Sequence, residues 1–333
     1  MPAATRDTLV LVLGGTGAVG RAVTALLAGD GVPVLAAARR PPAALPAGAR
    51  FHPLDAFDEA ALRDAVRDAH VVVDASGLDG GAVAPAVVAA GAQLVDLSAD
   101  PAHLDAVHRH DRSARAGQAT VLAGAGLAPG LTNLLAAAAH ALDPGTAGIA
   151  LNLLLGLGER HGPAATAWML DQLAAPPRHP PRRVELPAGF GHHTARWVDF
   201  AEQHALTRDL GVPVISRCAL DPPLLAAVTA RAARVPGLRR ALAASAATAA
   251  QLTRRDWWVA AARTADSTTV WATGRRQSDA SAVVATWAVH QLIERRLPPG
   301  VHDLHHVTDL HTLTPWLHRY GIATATTGYA HAS

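Results

Sequence analysis

VLVLGGTGAVGRAV, residues 10–23, runs an apolar stretch into a glycine turn and then into a helical pattern. Within it Gly15, Gly17 and Gly20 have the G-x-G-x-x-G spacing of a dinucleotide-binding turn, and Gly14 extends the series at three-residue intervals. The reasons for this spacing are steric and electrostatic. The first glycines permit a tight turn and let backbone approach a pyrophosphate, Gly20 lets the helix lie close on the strand, and the helix N-terminus faces the phosphates. A bare match means little in a chain with 28 glycines, but here it lies between a strand and a helix, where that mechanism needs it. Gly14, Gly15, Thr16, Gly17, Ala18, Val19 and Gly20 are the first candidates for cofactor contact.

On either side of the turn, Thr8–Leu13 reads as the first strand and Ala18–Ala28 as the first helix. Asp30-Gly31 turns the chain, Val32–Ala38 forms a second strand and Phe51–Leu54 a short third. Asp58 can cap the helix AALRDAVRDA (60–69). His70–Ala75 is a fourth strand, GAVAPAVVAA (81–90) a helix, Gln93–Leu97 a fifth strand, LDAVHRHDRSARA (104–116) one helix and Ala119–Ala123 a sixth strand. Continuous apolar strands alternating with helices predict an α/β chain whose residues 1–145 form a Rossmann-type, doubly wound parallel sheet. After that the rhythm changes. Ala147–Leu155 is strand-like, Pro163–Leu173 helical, APPRHPPRR (175–183) an exposed mobile loop, and residues 223–252 an alanine-rich helical stretch. Trp257–Arg263 and Thr268–Thr273 flank a turn as an antiparallel hairpin. A second, mixed α/β domain is predicted over 146–280, and 281–333, opening with the amphipathic helix Ser281–Arg296, is expected to return to the first domain.

Composition narrows the chemistry. The 333 residues are enough for about two domains at roughly 150 residues each, and 50% apolar content excludes wholesale disorder. The basic residues number 29 against 27 acidic ones, for a net charge of +2, and every base is arginine. The absence of lysine excludes a Schiff-base lysine, a P-loop and a tyrosine–lysine proton relay. Balanced charge gives no reason to expect nucleic acid or an anionic membrane as partner. One cysteine, Cys218, excludes a disulfide framework and points to a reducing, cytoplasmic setting. MPAATRDT lacks the layout of a signal peptide, and the uncharged Val121–Ala139 is broken by glycines and Pro129, so it reads as strand, loop and helix start rather than a span.

Further candidates sit at strand ends. Arg39 and Arg40 stand roughly 20 residues after the glycine turn, where a carboxylate would read an NAD ribose diol; arginine there suits the 2′-phosphate of NADP. Asp55 ends the third strand and can contact adenine or simply close a turn. Ala75, Ser76 and Gly77 end the fourth strand, where small residues admit backbone contact with a cofactor. Asp96 and Ser98 end the fifth, to bind the nicotinamide ribose or to cap the loop, and Asn133 opens a helix aimed at the nicotinamide or caps it. In Glu159-Arg160-His161-Gly162, His161 is a candidate proton donor, since its unperturbed pKa lies near neutrality; a turn or cap is the other reading. Arg182, Arg183, Arg196, Arg275 and Arg276 can fork onto a substrate carboxylate or, as for most of them, serve as ordinary surface charge. His302, His305 and His306, with Asp303 and Asp309 nearby, match no closed metal-site signature, so no metal is expected.

With GGTGAVGRAV (14–23), VVVDASG (71–77), AAGAQLVDLSAD (89–100) and VLAGAGLAPGLTNLLA (121–136) in place, the chain resembles the saccharopine dehydrogenase-like (saccharopine reductase type) oxidoreductases. The similarity is close over residues 8–142 and continues through GLGERHGPAATAWMLDQL (156–173) and SAVVATWAVHQLIERRLPPGV (281–301). The resemblance implies a pyridine-nucleotide domain, usually for NADP, and a mixed-sheet domain that binds substrate and often forms a homodimer. It also implies oxidation or reduction of C–N bonds through an imine. The chain departs from that family in lacking lysine, so no lysine-assisted acid–base chemistry carries over. Short-chain reductases share the glycine-rich start, but their Tyr-x-x-x-Lys relay is absent: the two tyrosines are Tyr320 and Tyr329. The expectation is an NADPH-dependent oxidoreductase acting on the C=N or C=O group of a small metabolite, with a non-catalytic, NmrA-like NADP-binding regulator as the alternative.

Overall fold

A computed structural model describes residues 8–78, 80–159, 162–176, 178–235, 237–239, 242, 253 and 255–328. They divide into two compact units. One runs to Leu131 and resumes over Ser281–Val307; the other holds Thr132–Ala280 and resumes at Thr308.

The first unit alternates strand and helix: β1 (Val10–Leu13), α1 (Ala18–Gly29), β2 (Val34–Ala38), β3 (Arg50–Pro53), α2 (Glu59–Arg67), β4 (Val71–Asp74), α3 (Val83–Ala89), β5 (Gln93–Asp96), α4 (Pro101–His108), α5 (Asp111–Ala116) and β6 (Thr120–Ala123). Every strand pairs in parallel, in the order β6-β5-β4-β1-β2-β3. Sheets of this kind are covered on both faces, which is why β1 and β4 read as unbroken apolar runs: all eight of their residues are buried. Strand order reverses between β1 and β4, so the turns after these two strands flank the crevice where doubly wound sheets bind ligands. Asp58 caps α2 as its sequence position suggests, accepting from the Ala60 and Ala61 amides at 3.0 and 3.2 Å. The helix expected over 104–116 is two helices. His110 N–H closes back on the Val107 carbonyl at 3.0 Å, and the His110 carbonyl accepts from the Ser113 hydroxyl and the Ala114 amide, which starts a new axis.

The second unit begins along α6 (Leu131–Leu142), whose first residue closes the first unit. It continues through β7 (Ile149–Gly156), α7 (Pro163–Ala174), β8 (Arg182–Leu186), β9 (Gly191–Trp197), α8 (Ala201–Leu210), β10 (Val214–Asp221), α9 (Pro223–Ala232), β11 (Trp257–Thr264) and β12 (Thr269–Arg275). The hairpin of β11 and β12 is as expected. The proline- and arginine-rich segment is not all loop. Arg182 and Arg183 open β8, which pairs antiparallel with β9, because Val184 and Leu186 alternate inward with Arg183 and Glu185 facing out. Most of the alanine-rich stretch beyond α9 lies outside the described residues. On one face of the sheet Leu154, Leu186, Ala195, Ala219 and Val259 pack together; against the other, Leu220 meets Leu170 and Leu173 of α7 and Ala230 of α9.

The chain then runs through α10 (Gln277–Ile293), β13 (Gly300–Asp303), α11 (Leu310–Arg319) and β14 (Ala323–Thr327). Strand β13 pairs in parallel with β6 and completes a seven-stranded sheet. Strand β14 instead pairs antiparallel with β12, giving a second, mixed seven-stranded sheet in the order β14-β12-β11-β7-β10-β9-β8. The tail that was expected to return whole to the first domain is thus divided between the two sheets. Val121–Ala139 is strand, glycine turn and helix start, and among the described residues no helix is long and apolar enough to cross a membrane.

Candidate functional site

Packing around the turn between β1 and α1 leaves no room for a side chain at Gly14, Gly15 or Gly20. Gly14 has φ +70°, and a Cβ there would strike the Ala75 carbonyl oxygen. A Cβ on Gly15 would lie 2.7 Å from Ala36 Cα, and one on Gly20 would fall on the Gly14 carbonyl oxygen. Backbone bonds fix the same arrangement: Gly15 N–H donates to the Ala37 carbonyl at 3.1 Å and Gly17 N–H to the Gly14 carbonyl at 2.9 Å. Gly17 differs, being exposed, with only the Gly14 oxygen near its missing Cβ, at 3.2 Å. It is the N-cap of α1, and neither a capping side chain nor an acidic residue occupies the first turn. The amide end of α1, with half-buried Thr16, Ala18 and Val19 beside it, therefore presents partial positive charge to anything anionic placed there.

The structure brings several sequence-derived candidates to the same end of the first sheet. Arg39 and Arg40 follow β2, two and three residues beyond the Ala37 that bonds Gly15, and both are exposed. Ala75, Ser76 and Gly77 form the turn after β4, and Ala75 N–H donates to the Leu13 carbonyl at 3.0 Å. Asp55 stands after β3, where its carboxylate accepts from the Phe57 amide at 3.1 Å, as in an ordinary Asx turn. Asp96 ends β5 but is turned inward: one oxygen accepts from the Ser98 amide at 2.8 Å and the other lies 2.8 Å from His103 Nε2. The Ser98 hydroxyl accepts from the Asp100 amide at 3.2 Å, so both residues do serve the loop.

Asn133 belongs to the second unit, buried in the first turn of α6. His161, with Arg160, lies outside the described residues. Its neighbour Glu159 is buried and accepts from the Ser278 amide with both oxygens, at 3.2 and 3.3 Å, capping the start of α10. Burial raises the Glu159 pKa against these bonds. The polar tail residues have structural partners too. His302 Nε2 bonds the Pro298 carbonyl, Asp303 meets His108 at 3.3 Å, and Asp309 caps α11 at the Thr312 amide. Arg275 and Arg276 are ion-paired with Asp256 and Asp279.

Two groupings of residues carried no signal in the sequence, although Asp96 was singled out by itself. The first joins the carboxylates of Asp74 and Asp96, at the ends of β4 and β5, to His103 of α4, all three buried. Burial, then the charge of Asp96, pushes the Asp74 pKa up to about 6. The second lies in the other unit, where strand register aligns Trp197, Arg217, Asn152, Ala261 and Trp271 in one row on one face of the sheet. Arg217 and Asn152 are each 6% exposed. Among the described residues, Arg217 Nε, Asn152 Oδ1 and Trp271 Nε1 have no hydrogen-bond partner. Burial, followed by the like charge of Arg182, works against the Arg217 guanidinium, so an anion beside it would be stabilised.

Residues 10–102 match the NAD dependent epimerase/dehydratase family. No curated protein matches the chain. Among solved structures, the apo saccharopine dehydrogenase (L-Glu forming) of Saccharomyces cerevisiae aligns over 96% of this chain and 100% of its own, at 13% identity and a TM-score of 0.62. Aspartate semialdehyde dehydrogenase II of Vibrio cholerae aligns over 86% of this chain and 98% of its own at 11% identity and a TM-score of 0.45. Dihydrodipicolinate reductase of Paenisporosarcina sp. TG-14 does so over 90% and 99%, at 11% identity and 0.43. Over nearly its whole length the chain has the two-domain α/β fold of saccharopine dehydrogenase, with a Rossmann sheet opening it.

Proposed function

We propose that the chain is an NADPH-dependent oxidoreductase that reduces, or reversibly oxidises, the C=N or C=O group of a small metabolite. The observation that carries this reading is the glycine turn at the switch point, where Gly14, Gly15 and Gly20 exclude a Cβ while Gly17 leaves the α1 amides open. A nicotinamide dinucleotide fits that cradle, and when bound it supplies the hydride. The α1 amides would hold its pyrophosphate, and Ala75, Ser76 and Gly77 would offer it backbone contact. Arg39 and Arg40 offer only donors and positive charge, which suits a 2′-phosphate and not a bare ribose diol. His161 is assigned the proton transfer to nitrogen or oxygen. In the second unit, Arg217 with Asn152 is assigned a carboxylate of the substrate, since a buried guanidinium whose Nε is unpaired among the described residues is matched best by an anion. The protein is proposed to act in the cytoplasm as a homodimer.

The test is nicotinamide absorbance in the presence of oxo acids, amines and cyclic imines. Turnover that drops at least about 100-fold in His161→Ala supports the reading, because general acids contribute roughly 10²–10⁴. Tight NADPH binding with no turnover on a broad panel would favour a non-catalytic regulator instead. Light scattering at working concentration checks the dimer.

A further inference from the structure

The ends of β4 and β5 carry a buried network that the proposed chemistry leaves unused. Asp74 and Asp96 are register partners on adjacent parallel strands, 5% and 1% exposed. Each first serves its own turn. Asp74 Oδ1 accepts from the Ser76 amide at 3.0 Å and the Ser76 hydroxyl at 2.6 Å; Asp96 Oδ1 accepts from the Ser98 amide at 2.8 Å. The other Asp96 oxygen meets His103 Nε2 at 2.8 Å, and His103 is itself 3% exposed. Its remaining ring nitrogen, Nδ1, accepts from the Gly81 amide at 3.2 Å. The main chain at His103 is anchored as well, its amide donating to the capping Asp100 carboxylate at 2.8 Å.

These bonds fix the ring's protonation. A backbone amide can only donate, so Nδ1 carries the lone pair and the single proton of the neutral ring sits on Nε2, pointing at Asp96. Oriented this way, the imidazole ties β5 to the segment that follows β4. That segment is held at Ser76 by Asp74 and at Gly81 by His103. Gly81 has φ +67° and lies so close to α4 that a Cβ would meet Ala106 and the Val107 amide at 3.1 Å. At its near end the segment is the wall of the glycine turn, since it is the Ala75 carbonyl that leaves no room for a side chain on Gly14.

We propose that His103 is a positioning residue of the nucleotide site, holding the segment after β4 against the glycine turn through the Gly81 amide, and doing so only while its Nδ1 is unprotonated. This rests on the reading that the glycine turn holds the nucleotide. A second proton on the ring goes to Nδ1 and turns the acceptor into a donor facing another donor, so the Gly81 bond is lost. The charged groups acting on the ring are Asp96 from β5, Asp74 from β4 and Asp100 at the cap of α4. Burial alone would lower the His103 pKa, but the Asp96 hydrogen bond and these three carboxylates outweigh it and raise it.

The experiment measures two quantities from pH 8 to pH 5.5: the hydrogen-exchange protection factor of the Gly81 amide, and the NADPH dissociation constant. A net hydrogen bond contributes roughly 0.5–1.5 kcal/mol, so both are expected to weaken by about 2- to 13-fold in acid. Two variants separate the ring's two contacts. His103→Asn keeps an acceptor near the Nδ1 position and does not titrate, so its Gly81 protection should hold the alkaline value at all pH, and any acid weakening of NADPH binding left in it belongs to Asp74. His103→Gln keeps a donor for Asp96 and loses the Gly81 acceptor, so its Gly81 protection should hold the acid value throughout. Gly81 protection that ignores both pH and ring replacement overturns the proposal, whether or not NADPH binds. Protection that follows the ring while NADPH binds at no pH overturns the nucleotide reading, and with it the role given to His103. The wild-type titration needs no variant to fold.

Discussion

Replacing Glu202 by glutamine is expected to make the second unit more stable at pH 8 and to leave it nearly unchanged at pH 4.5. Glu202 lies in the first turn of α8 and is 2% exposed. One oxygen accepts from the Ser216 hydroxyl at 3.2 Å, and the other has no hydrogen-bond partner among the described residues. Burial pushes its pKa up to about 7 from the ordinary 4.5. The sign follows from linkage. Below pH 4.5 the group is protonated folded and unfolded, and no penalty exists. Between 4.5 and 7 the unfolded chain releases a proton that the folded one keeps, so stability falls by about 1.36 kcal/mol per pH unit. Above 7 the loss is complete. The total over those 2.5 units is about 3 kcal/mol, an order-of-magnitude figure. Glutamine retains the carbonyl acceptor for Ser216 and removes the ionisation. With urea slopes of roughly 1–3 kcal/mol/M, the variant's midpoint should exceed the wild-type midpoint by about 1 M or more at pH 8. The measurement is urea unfolding of both proteins at pH 4.5, 6 and 8. A midpoint difference that does not change across the three pH values refutes the reasoning, because Glu202 would then titrate alike in both states.

Other outcomes follow from the same structure. Gly20→Ala places a methyl on the Gly14 carbonyl and should abolish NADPH binding, losing at least about 100-fold, as titration calorimetry would show, whereas Gly17→Ala folds normally and loses binding by crowding the phosphates alone. Arg39→Ala should raise the NADPH dissociation constant at least about tenfold and leave NADH nearly unchanged, since one charge-assisted bond contributes roughly 1.5–3 kcal/mol; equal losses would mean that Arg39 supports the turn rather than reads the phosphate. Cys218 is buried and its thiol is pushed up to about 12, by burial and then by Glu202, so a thiol reagent at pH 8 should label it only at the rate of unfolding. Arg217→Met should raise KM for a carboxylate substrate with little change in kcat, and a pure kcat effect would move Arg217 out of substrate binding.

Much of the first unit could be read before its structure was known, for reasons that are local. The apolar run of β1, the glycines that follow it and the Asp58 cap each act within a few residues, so their meaning is complete in the linear chain. The β8–β9 hairpin was hidden because prolines and arginines at 180–183 mask a strand whose inward residues, Val184 and Leu186, come only after them. His103 is one of 18 histidines, and nothing beside it in the chain sets it apart. Its chemistry depends on Asp96, 7 residues back, and Gly81, 22 residues back, which a parallel sheet brings to one end. Arg217 and Asn152 gain significance only as register partners on β10 and β7.

By itself, then, the sequence determined the alternation of strand and helix, the doubly wound class of the first unit and the place of the glycine turn. Backbone sterics and apolar periodicity operate over neighbouring residues and need no partner to be legible. Only the tertiary structure decided that β13 completes the first sheet while β14 joins the second, that Asp96 turns inward to His103, and that Arg217 is buried with an Nε unpaired among the described residues. Each of these is a contact between segments far apart in the chain, and which strand edge or carboxylate a residue meets is set by packing, which no short stretch of sequence contains.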